Sequence, residues 1–386
     1  MTTLYGYKRA DGRYGIRNHV IVLPSVGCCN GVIDKIKQRV PEVVTLMHAY
    51  GCGRGPADTA LHHKTFFNVA THPNISAVLI VALGCEILNT PQLYEDIKAA
   101  GQKVAYLNIQ QTGGTYKTAD AAVPILQRFL AEAASEKRVP FDISELTVGL
   151  QCGGSDAFSG STANSAVGIA CDKLIEQGGR VIITETTELI GTLDILKSRA
   201  KDEKVAADLE RIISQRYKLV ERCMGDQADF VIAPGNMAGG MTTIQEKSLG
   251  CVIKGGHTTI NQVVDNGTIP DEKGLVVMDA TGYDTESTTA VVSGGSQMVL
   301  FTTGRGNPFG FPTVPVMKIA STTQLYERMK DDVDINAGKI VEGTSIEDLG
   351  AEIFEEMIAV ANGKKTKPEE NDTMGIMSIY CTTPSL

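Results

Sequence analysis

Short apolar runs rich in β-branched residues recur along this chain, and they constrain its fold more than any other feature. Each run ends in a cluster of small or polar residues, and the first four are HVIVLPSVGCCN (19–30), VVTLMHAYGCG (43–53), AVLIVALGCE (77–86) and VAYLNIQQTGG (104–114). The segments between them carry apolar residues at helical spacing. Continuous apolar runs that alternate with such helices are typical of parallel sheets buried on both faces, so the pattern predicts an α/β fold.

The second half of the chain restarts this alternation and predicts another, larger parallel sheet. Its candidate strands are LTVGLQCGGSD (146–156), VIITETTE (181–188), FVIAPGN (230–236), GLVVMDA (274–280), MVLFTTGRG (298–306) and VPVMKIAS (314–321). Between the halves, SEKRVPFD (135–142) is charged and lacks periodicity, which is typical of a linker. Because 386 residues exceed one ordinary core, we predict an N-terminal α/β domain over residues 1–137 and a C-terminal parallel-sheet domain over 143–386.

Charge and hydropathy exclude several classes of partner. The net charge is −9 and no Lys/Arg-rich block occurs, so no segment is suited to follow the phosphates of a nucleic acid. The N-terminus carries charges and glycines, and no apolar run approaches the roughly 20 residues that span a bilayer. We expect a cytoplasmic protein without a membrane partner. In that compartment its nine cysteines stay reduced, which favours metal-binding or catalytic roles over disulfides.

Cysteines are concentrated at the carboxyl ends of the predicted strands, the edge at which open α/β sheets bind ligands. Cys28, Cys52, Cys85 and Cys152 each adjoin a glycine there. Thiolates held by tight turns are the ligands of soft metals and iron–sulfur clusters, so we predict that these four residues bind a metal. The spacing matches no local cluster motif, and a buried packing role is the alternative for any one of them. The cysteines predicted to be packing residues are Cys171, Cys223, Cys251 and Cys381.

Other polar residues near this edge are suited to proton transfer or to binding an acidic substrate. His48 could ligate a metal, act as a base or be a satisfied structural histidine, and Glu185 and Glu188 suit metal or proton chemistry. Arg305, flanked by glycines, is suited to a bidentate clamp on a carboxylate, and Lys247 could supply a positive charge or a base. The glycine-rich and hydroxyl-rich loops match no nucleotide-binding motif. We assign substrate binding to Gly153, Ser155, Asp156, Asn236, Thr242, Thr243 and Arg305.

Taken together, these segments resemble the altronate and galactarate dehydratases. The resemblance covers nearly the whole chain through GYKRADGRYGIRN (6–18), HAYGCG (48–53), LGCE (83–86), QCGGSDAFSG (151–160), TETTE (184–188), PGNMAGGMTTIQEKSLG (234–250), GYD (282–284), FTTGRGNPFG (301–310), KIAS (318–321) and DINAG (334–338). It implies a dimerising domain, the second domain of the family, followed by a catalytic domain with a Rossmann-like variant of the parallel sheet.

The resemblance also implies a reaction and its requirements. The family dehydrates a hexonic or hexaric acid to a 2-keto-3-deoxy acid and needs ferrous iron under reducing conditions. A single Fe²⁺ ion and a [4Fe–4S] cluster both stay open as the form of that iron. Full-length members begin with a small β-clip domain of the SAF type, whereas the family motif begins here at Gly6. We therefore expect a separate small SAF-type subunit as a partner and a homodimer of this chain.

The mechanism that we predict is a β-elimination. Lys247 or His48 would take the proton α to the substrate carboxylate, while iron polarises the leaving hydroxyl. Arg305 and the loop amides would hold the enediolate that forms. Two alternatives stay open: the large subunit of a (2R)-sulfolactate sulfo-lyase, and a non-catalytic subunit that binds sugar acids. A dinucleotide oxidoreductase is disfavoured because the glycine fingerprint is missing.

Overall fold

The computed structural model describes residues 2–386, which form two compact units. The larger unit comprises residues 2–4, 142–310 and 315–374. The smaller unit comprises residues 5–141, 311–314 and 375–386. Each unit contains its own parallel sheet, as described below.

The strands are short and their bounds follow the apolar runs. In chain order they are β1 Thr3–Lys8, β2 Tyr14–Gly15, β3 His19–Pro24, β4 Val44–Thr45, β5 Ile75–Ala82, β6 Lys103–Asn108, β7 Val139–Asp142, β8 Thr147–Cys152, β9 Arg180–Ile183, β10 Ile260–Val264, β11 Gly274–Met278, β12 Met298–Thr303, β13 Val316–Ala320 and β14 Ile335–Asn336.

The helices fill the segments between the strands. In chain order they are α1 Asn30–Arg39, α2 Pro56–Ala70, α3 Thr90–Ala99, α4 Ile109–Thr112, α5 Thr115–Ser135, α6 Ala163–Glu176, α7 Leu193–Ser198, α8 Glu203–Met224, α9 Pro234–Ala238, α10 Ile244–Val252, α11 Asp284–Ser293, α12 Thr323–Arg328, α13 Ile346–Ala361 and α14 Lys367–Asn371.

The sheet of the larger unit has seven parallel strands in the order β10-β11-β9-β8-β12-β13-β14. Every residue of β8, β11, β12 and β13 is buried, as expected for strands covered on both faces. The chain builds this sheet in one direction from β8 to β10 and β11, and then continues on the other side of β8 with β12. The strand order therefore reverses at β8.

The sheet of the smaller unit has four parallel strands in the order β4-β3-β5-β6. Its centre is β5, in which all eight residues are buried. Its strand order reverses at β3, because β4 lies on one side of β3 and β5 on the other. A separate three-stranded sheet has the order β2-β1-β7. The predicted α/β fold with parallel sheets is confirmed.

Several local predictions differ from the structure. The segment FVIAPGN is not a strand, because Pro234 lacks the N–H that a sheet ladder requires and instead occupies the first turn of α9. Residues 139–142, within the predicted linker, form β7. The strand β10 was not predicted, since Asn261 and Gln262 interrupt its apolar run where it lies at the sheet edge.

Within residues 2–386, the helices include none with the length and apolar character needed to cross a membrane.

Candidate functional site

A cavity of about 500 Å³ lies at the carboxyl end of β8, where the strand order of the larger sheet reverses. Open α/β sheets bind ligands at such a switch point, because the loops from neighbouring strands diverge there and leave a crevice. The residues lining the cavity include Cys152, Glu188, Asn236, Lys247, Tyr283 and Asp284. The cavity therefore brings together sulfur, carboxylate, amide and ammonium groups from segments far apart in the sequence.

Glu185 is hydrogen-bonded to the carboxyl end of β8, next to the cavity. It follows β9 with a φ of 65°, a left-handed conformation that costs a non-glycine residue on the order of 1–3 kcal/mol. Its fully buried carboxylate accepts hydrogen bonds from Gln151 Nε2 at 2.6 Å and from the backbone N–H of Cys152 at 3.0 Å. The unusual backbone thus points a carboxylate at the end of β8.

Two lysines neutralise the buried carboxylates. Lys254 pairs with Glu185, and Lys247 pairs with Glu188. Burial by itself would lower the pKa of Lys254, but Glu185 and the nearby thiols raise it well above its usual value. Burial would likewise lower the pKa of Lys247, but the negative charge of Glu188 outweighs this effect and raises it. Both lysines are therefore ammonium ions.

Cys152, Glu188 and Cys251 form a group that could hold a metal ion. One ligand atom from each lies within 4.8 Å of the others, and all three residues are buried. Cys251 donates its thiol proton to Glu188 Oε2 at 2.9 Å. The contact with the Cys251 side chain is the main cause that lowers the pKa of Cys152 to about 5, against the effect of burial.

This donor set fits a divalent transition metal. Two sulfurs and one carboxylate oxygen suit ions of intermediate softness, and three protein ligands leave room for substrate, as in catalytic metal sites. The proton of the Cys251 thiol lies between Cys251 Sγ and Glu188 Oε2, two atoms that would bind the ion. Metal binding releases such protons, since the ligands must be deprotonated.

Asp284 is a carboxylate that lines the cavity but is not part of the group that could hold a metal ion. It begins α11, and its Oδ1 and Oδ2 accept hydrogen bonds from Gln151 Nε2 and Asn307 Nδ2, both at 2.9 Å. Burial raises the pKa of Asp284, against the opposing effects of Gln151 and Lys318. A carboxylate with a raised pKa at the wall of a cavity is suited to general base catalysis.

The two predicted bases differ in their surroundings. The buried ring of His48 is held by backbone groups at both nitrogens, 2.7 Å from Pro24 O and 3.1 Å from Tyr50 N. Burial lowers the pKa of His48 to about 4, so the ring is neutral and structural. Lys247 does line the cavity, but its proton is held by Glu188. The base roles of both residues therefore stay predictions, and these contacts favour for Lys247 the role of a positive charge.

The predicted substrate-binding residues are only partly brought together. Asn236 lines the cavity, and Ser155 Oγ lies 3.1 Å from Cys152 Sγ. Gly153 packs so closely on Phe301 that an added Cβ would lie 2.5 Å from its Cζ. Arg305 is exposed, and its backbone N–H donates to the carbonyl of the cavity residue Gly154 at 2.8 Å.

The other three residues of that prediction have structural hydrogen bonds. Asp156 accepts from Ser159 Oγ and Ser321 Oγ, both at 2.8 Å, and so ties two loops together. The side chain of Thr243 caps α10. Thr242 donates to Glu246 on the same helix. These contacts occupy all three side chains in positioning loops and a helix.

The four predicted metal ligands are divided between the units. Cys152 is buried in the larger unit, whereas Cys28, Cys52 and Cys85 are exposed in the smaller one. Among residues 2–386, the group that could hold a single ion joins Cys152 to Glu188 and Cys251 and includes none of the other three.

Sequence reasoning missed Cys251, Lys254 and Asp284. Cys251 was predicted to be a packing residue, and it is buried, but against Glu188 and not in an apolar core. The available signal was its spacing of four from Lys247, which places both on one face of α10. Lys254 follows one turn later.

Comparison with known proteins matches both halves of the chain to family models. Residues 143–382 match the model "D-galactarate/Altronate dehydratase, C-terminal", and residues 6–134 match "D-galactarate dehydratase/Altronate hydrolase, second domain".

Curated relatives align over almost the entire chain. The altronate dehydratase of Bacillus subtilis (strain 168) is 36% identical over 385 residues, covering 96% of this chain and 76% of the relative. The galactarate dehydratase (L-threo-forming) of Escherichia coli (strain K12) is 36% identical, covering 94% and 73%. The (2R)-sulfolactate sulfo-lyase subunit beta of Chromohalobacter salexigens is 32% identical, covering 95% and 94%. The resemblance seen in the motifs is confirmed, and the chain belongs to the D-galactarate/altronate dehydratase family.

Proposed function

We propose that this chain is an iron-dependent hydro-lyase that removes water from a hexonic or hexaric acid to give a 2-keto-3-deoxy acid. The observation that carries the proposal is the cavity at the end of β8, which is lined by Cys152, Glu188, Lys247 and Asp284. Cys251 is buried against Glu188 and completes the group that could hold a metal ion. Dehydration of a sugar acid needs a base, a cation for the carboxylate and help for a poor leaving group. This cavity offers groups suited to each task.

Cys152, Glu188 and Cys251 would hold the iron. When bound, iron supplies Lewis-acid polarisation of the departing hydroxyl. The two thiols and the carboxylate favour iron over Mg²⁺ or Ca²⁺, which prefer oxygen ligands. Lys254 and Glu185 hold Cys152 in position, since Glu185 accepts the backbone N–H of Cys152 and pairs with Lys254.

Asp284 is the proposed base and Lys247 the proposed cation. Asp284 takes the proton from the carbon next to the substrate carboxylate, and the electron pair of that C–H bond forms the C=C bond. The neighbouring C–O bond breaks, and the hydroxyl leaves as water with the proton that Asp284 has taken, so that Lys247 keeps its positive charge. The enol product then tautomerises to the 2-keto acid. Arg305, beside Gly154, is suited to clamp a substrate carboxylate.

A partner subunit is part of the proposal. The chain covers 94% of a protein named as a subunit beta, but only 76% and 73% of two dehydratases. The name of that relative supports assembly with a second subunit, for which we propose a small SAF-type protein, and we propose that this chain pairs as a homodimer. The same coverage favours one alternative, the elimination of sulfite from (2R)-sulfolactate, for which sulfite replaces water as the leaving group.

The test is an anaerobic assay of the chain with Fe²⁺, alone and with a co-expressed small subunit, on altronate, galactarate and (2R)-sulfolactate. Wild-type protein is expected to form a 2-keto acid from one of the two sugar acids, and to lose activity on chelation. Cys152→Ser and Asp284→Asn are expected to lower kcat by about 10²–10⁴-fold.

The matched control is Cys171→Ser, which removes a buried thiol of the same unit that lies outside the cavity. It is expected to leave kcat within about twofold of wild type at unchanged iron content. Full activity of Cys152→Ser would exclude the metal group, and activity confined to sulfolactate would replace the dehydratase by the sulfo-lyase.

A further inference from the structure

A buried glutamine lies near the end of the central strand of the larger sheet, and the elimination described above gives it no role. Gln151 is the second-last residue of β8, and its side chain is fully buried. An amide in such a place costs free energy unless its polar atoms are hydrogen-bonded. The partners of Gln151 therefore indicate what it contributes to the cavity.

The amide of Gln151 joins two carboxylates. Its Nε2 donates to Glu185 Oε1 at 2.6 Å and to Asp284 Oδ1 at 2.9 Å, and its Oε1 accepts the hydroxyl of Ser287 at 2.6 Å. Ionised carboxylates only accept hydrogen bonds, so the two acidic neighbours fix the amide with its nitrogen toward them. Three hydrogen bonds thus hold the side chain of Gln151 in one orientation.

Helix α11 supplies two of these three partners because it packs closely on β8. Gly149 lies two residues before Gln151 on the same face of the strand, and an added Cβ there would lie 2.8 Å from Val291 Cγ2. Asp284 and Ser287 lie one turn apart at the start of α11 and so share one side of the helix. The close packing at Gly149 thus brings the first turn of α11 to the amide of Gln151.

The two oxygens of Asp284 are held by different amides. Gln151 binds Oδ1, and Asn307 Nδ2 binds Oδ2 at 2.9 Å. Each carboxylate oxygen can accept two hydrogen bonds, so both oxygens can still accept a proton from a substrate. Rotation of the carboxylate would break at least one of the two bonds. The two amides therefore keep Asp284 in one orientation at the wall of the cavity.

The charges around Asp284 act on its pKa in both directions. Burial raises the pKa of Asp284, and the hydrogen bond from Gln151 is the main effect that lowers it. Lys318 also lowers this pKa, whereas Glu188 and Cys152 raise it. A base must be ionised before it can take a proton, so the bond from Gln151 favours the reactive form of Asp284.

We propose that Gln151 is a positioning residue for the elimination, which bridges Glu185 and Asp284 and so holds the Asp284 carboxylate in the orientation that takes the substrate proton. Ser287 supports this role by holding the amide oxygen. The other end of the bridge is also fixed, because Glu185 Oε2 accepts the backbone N–H of Cys152 at 3.0 Å. This role rests on the proposed function, since it takes Asp284 as the base.

The first experiment measures kcat and KM of wild type and Gln151→Met at a series of pH values, with the full chain, Fe²⁺ and the acid that the wild type converts. Met has a similar size but cannot donate a hydrogen bond to Asp284. The variant is expected to lower kcat by about 10–100-fold with KM within about threefold of wild type. Its kcat should also begin to fall at a higher pH on the acidic side, because Asp284 without this bond is protonated more readily.

The matched control is Gln297→Met, which changes another buried glutamine of the larger unit. Gln297 Oε1 accepts the N–H of Thr147 at the opposite end of β8. This variant is expected to keep kcat within about twofold of wild type and the wild-type pH profile, so a loss of stability alone cannot imitate the result at Gln151. Ser287→Ala covers the case in which Gln151→Met does not fold, and it should lower kcat by about 3–10-fold with the same change of pH profile.

A second measurement follows Asp284 without any turnover. In metal-free protein labelled with ¹³C at the aspartate carboxyl groups, the Asp284 resonance is identified by its absence in Asp284→Asn. It is expected to titrate at a higher pH in Gln151→Met than in wild type. The same shift in a protein without lyase activity would contradict the proposed function and support the bridge. Unchanged titration, or a Gln151→Met variant with the kcat and pH profile of an active wild type, would overturn the role of Gln151.

Discussion

Two parallel sheets of this protein carry a cysteine at the same topological position, yet the surroundings of the two cysteines differ. Cys152 is the last residue of β8 and Cys28 follows β3, and the strand order of each sheet reverses at that strand. Cys152 is buried beside two lysines and two glutamates, whereas Cys28 is exposed on a hydrogen-bonded loop. The topology of the sheet therefore determines the position of each thiol. The segments that pack around it determine whether it is buried among charged groups or exposed to solvent.

The largest expected effect comes from removing a charge in the buried group. Lys254→Met should lower the free energy of unfolding by about 3–5 kcal/mol, since it leaves Glu185 as a buried charge without its cation. Urea denaturation at neutral pH measures this difference. The control is Lys201→Met, because Lys201 and Glu272 form an exposed pair that should contribute less than about 1 kcal/mol. Equal losses in the two variants would contradict the contrast between a dry and an open environment.

A smaller loss of stability is expected in the smaller unit, where hydrogen bonds from the C-terminal segment hold a buried carboxylate. Asp58 accepts four hydrogen bonds from the N–H and hydroxyl groups of Thr382 and Thr383, and the N–H of Leu386 donates to Gly53 O, next to Cys52. Asp58→Asn should lower the free energy of unfolding by about 2 kcal/mol, the usual contribution of hydrogen bonds to a charged group.

The pH dependence of this effect has a definite sign. Burial would raise the pKa of Asp58, but the hydrogen bonds from Thr383 and Thr382 outweigh it and lower the pKa to about 2. A carboxyl group with a depressed pKa stabilises the fold above its ordinary pKa of about 3.9, and this stabilisation is lost as the pH falls toward 2. The difference between wild type and Asp58→Asn should therefore vanish over that interval. The control is Asp120→Asn, which changes an exposed partner of Arg39 and should alter the free energy of unfolding at neutral pH by less than about 1 kcal/mol.

The smallest expected effect has the opposite sign and concerns a buried lysine without a carboxylate partner. Lys318 is fully buried, its Nζ lies 3.1 Å from the centre of the Phe301 ring, and within residues 2–386 it has no hydrogen-bond partner. Lys318→Met should raise the free energy of unfolding by about 1 kcal/mol, since burial of an unpaired polar group is costly and Met fills a similar volume.

The stability of the wild type should also depend on pH through Lys318. Burial lowers the pKa of Lys318 well below its usual value, against the opposing effects of Asp284, Asp334 and Asp332. The unfolded chain then binds a proton that the folded chain does not, so wild-type stability should rise with pH up to the ordinary lysine pKa of about 10.4. Lys318→Met should remove this slope in unfolding curves measured from pH 7 to 10. A loss of stability in this variant would show that Lys318 is paired with a charge.

Much of the architecture could be predicted because it depends on local pattern. Continuous apolar runs such as that of β5 are long enough to identify a strand buried on both faces, and the glycines after them mark its end. The helix α8 begins where Asp202 accepts a hydrogen bond from the N–H of Val205, a cap that such a residue type provides locally. Strands with polar residues or a proline, β10 and the supposed strand at 230–236, were misjudged because their pattern is weak.

By itself, the sequence determined the parallel α/β fold, the edge at which the cysteines lie and the family. Only the tertiary structure decided which groups meet there. Cys251 and Lys254 reach Cys152 and Glu185 across 69 residues or more, so no local pattern reports the contact. His48 and Lys247 both looked like bases, but a pKa depends on burial and on the nearest charges. Those quantities exist only once distant segments have packed, which is why the chemistry of this edge depended on the fold.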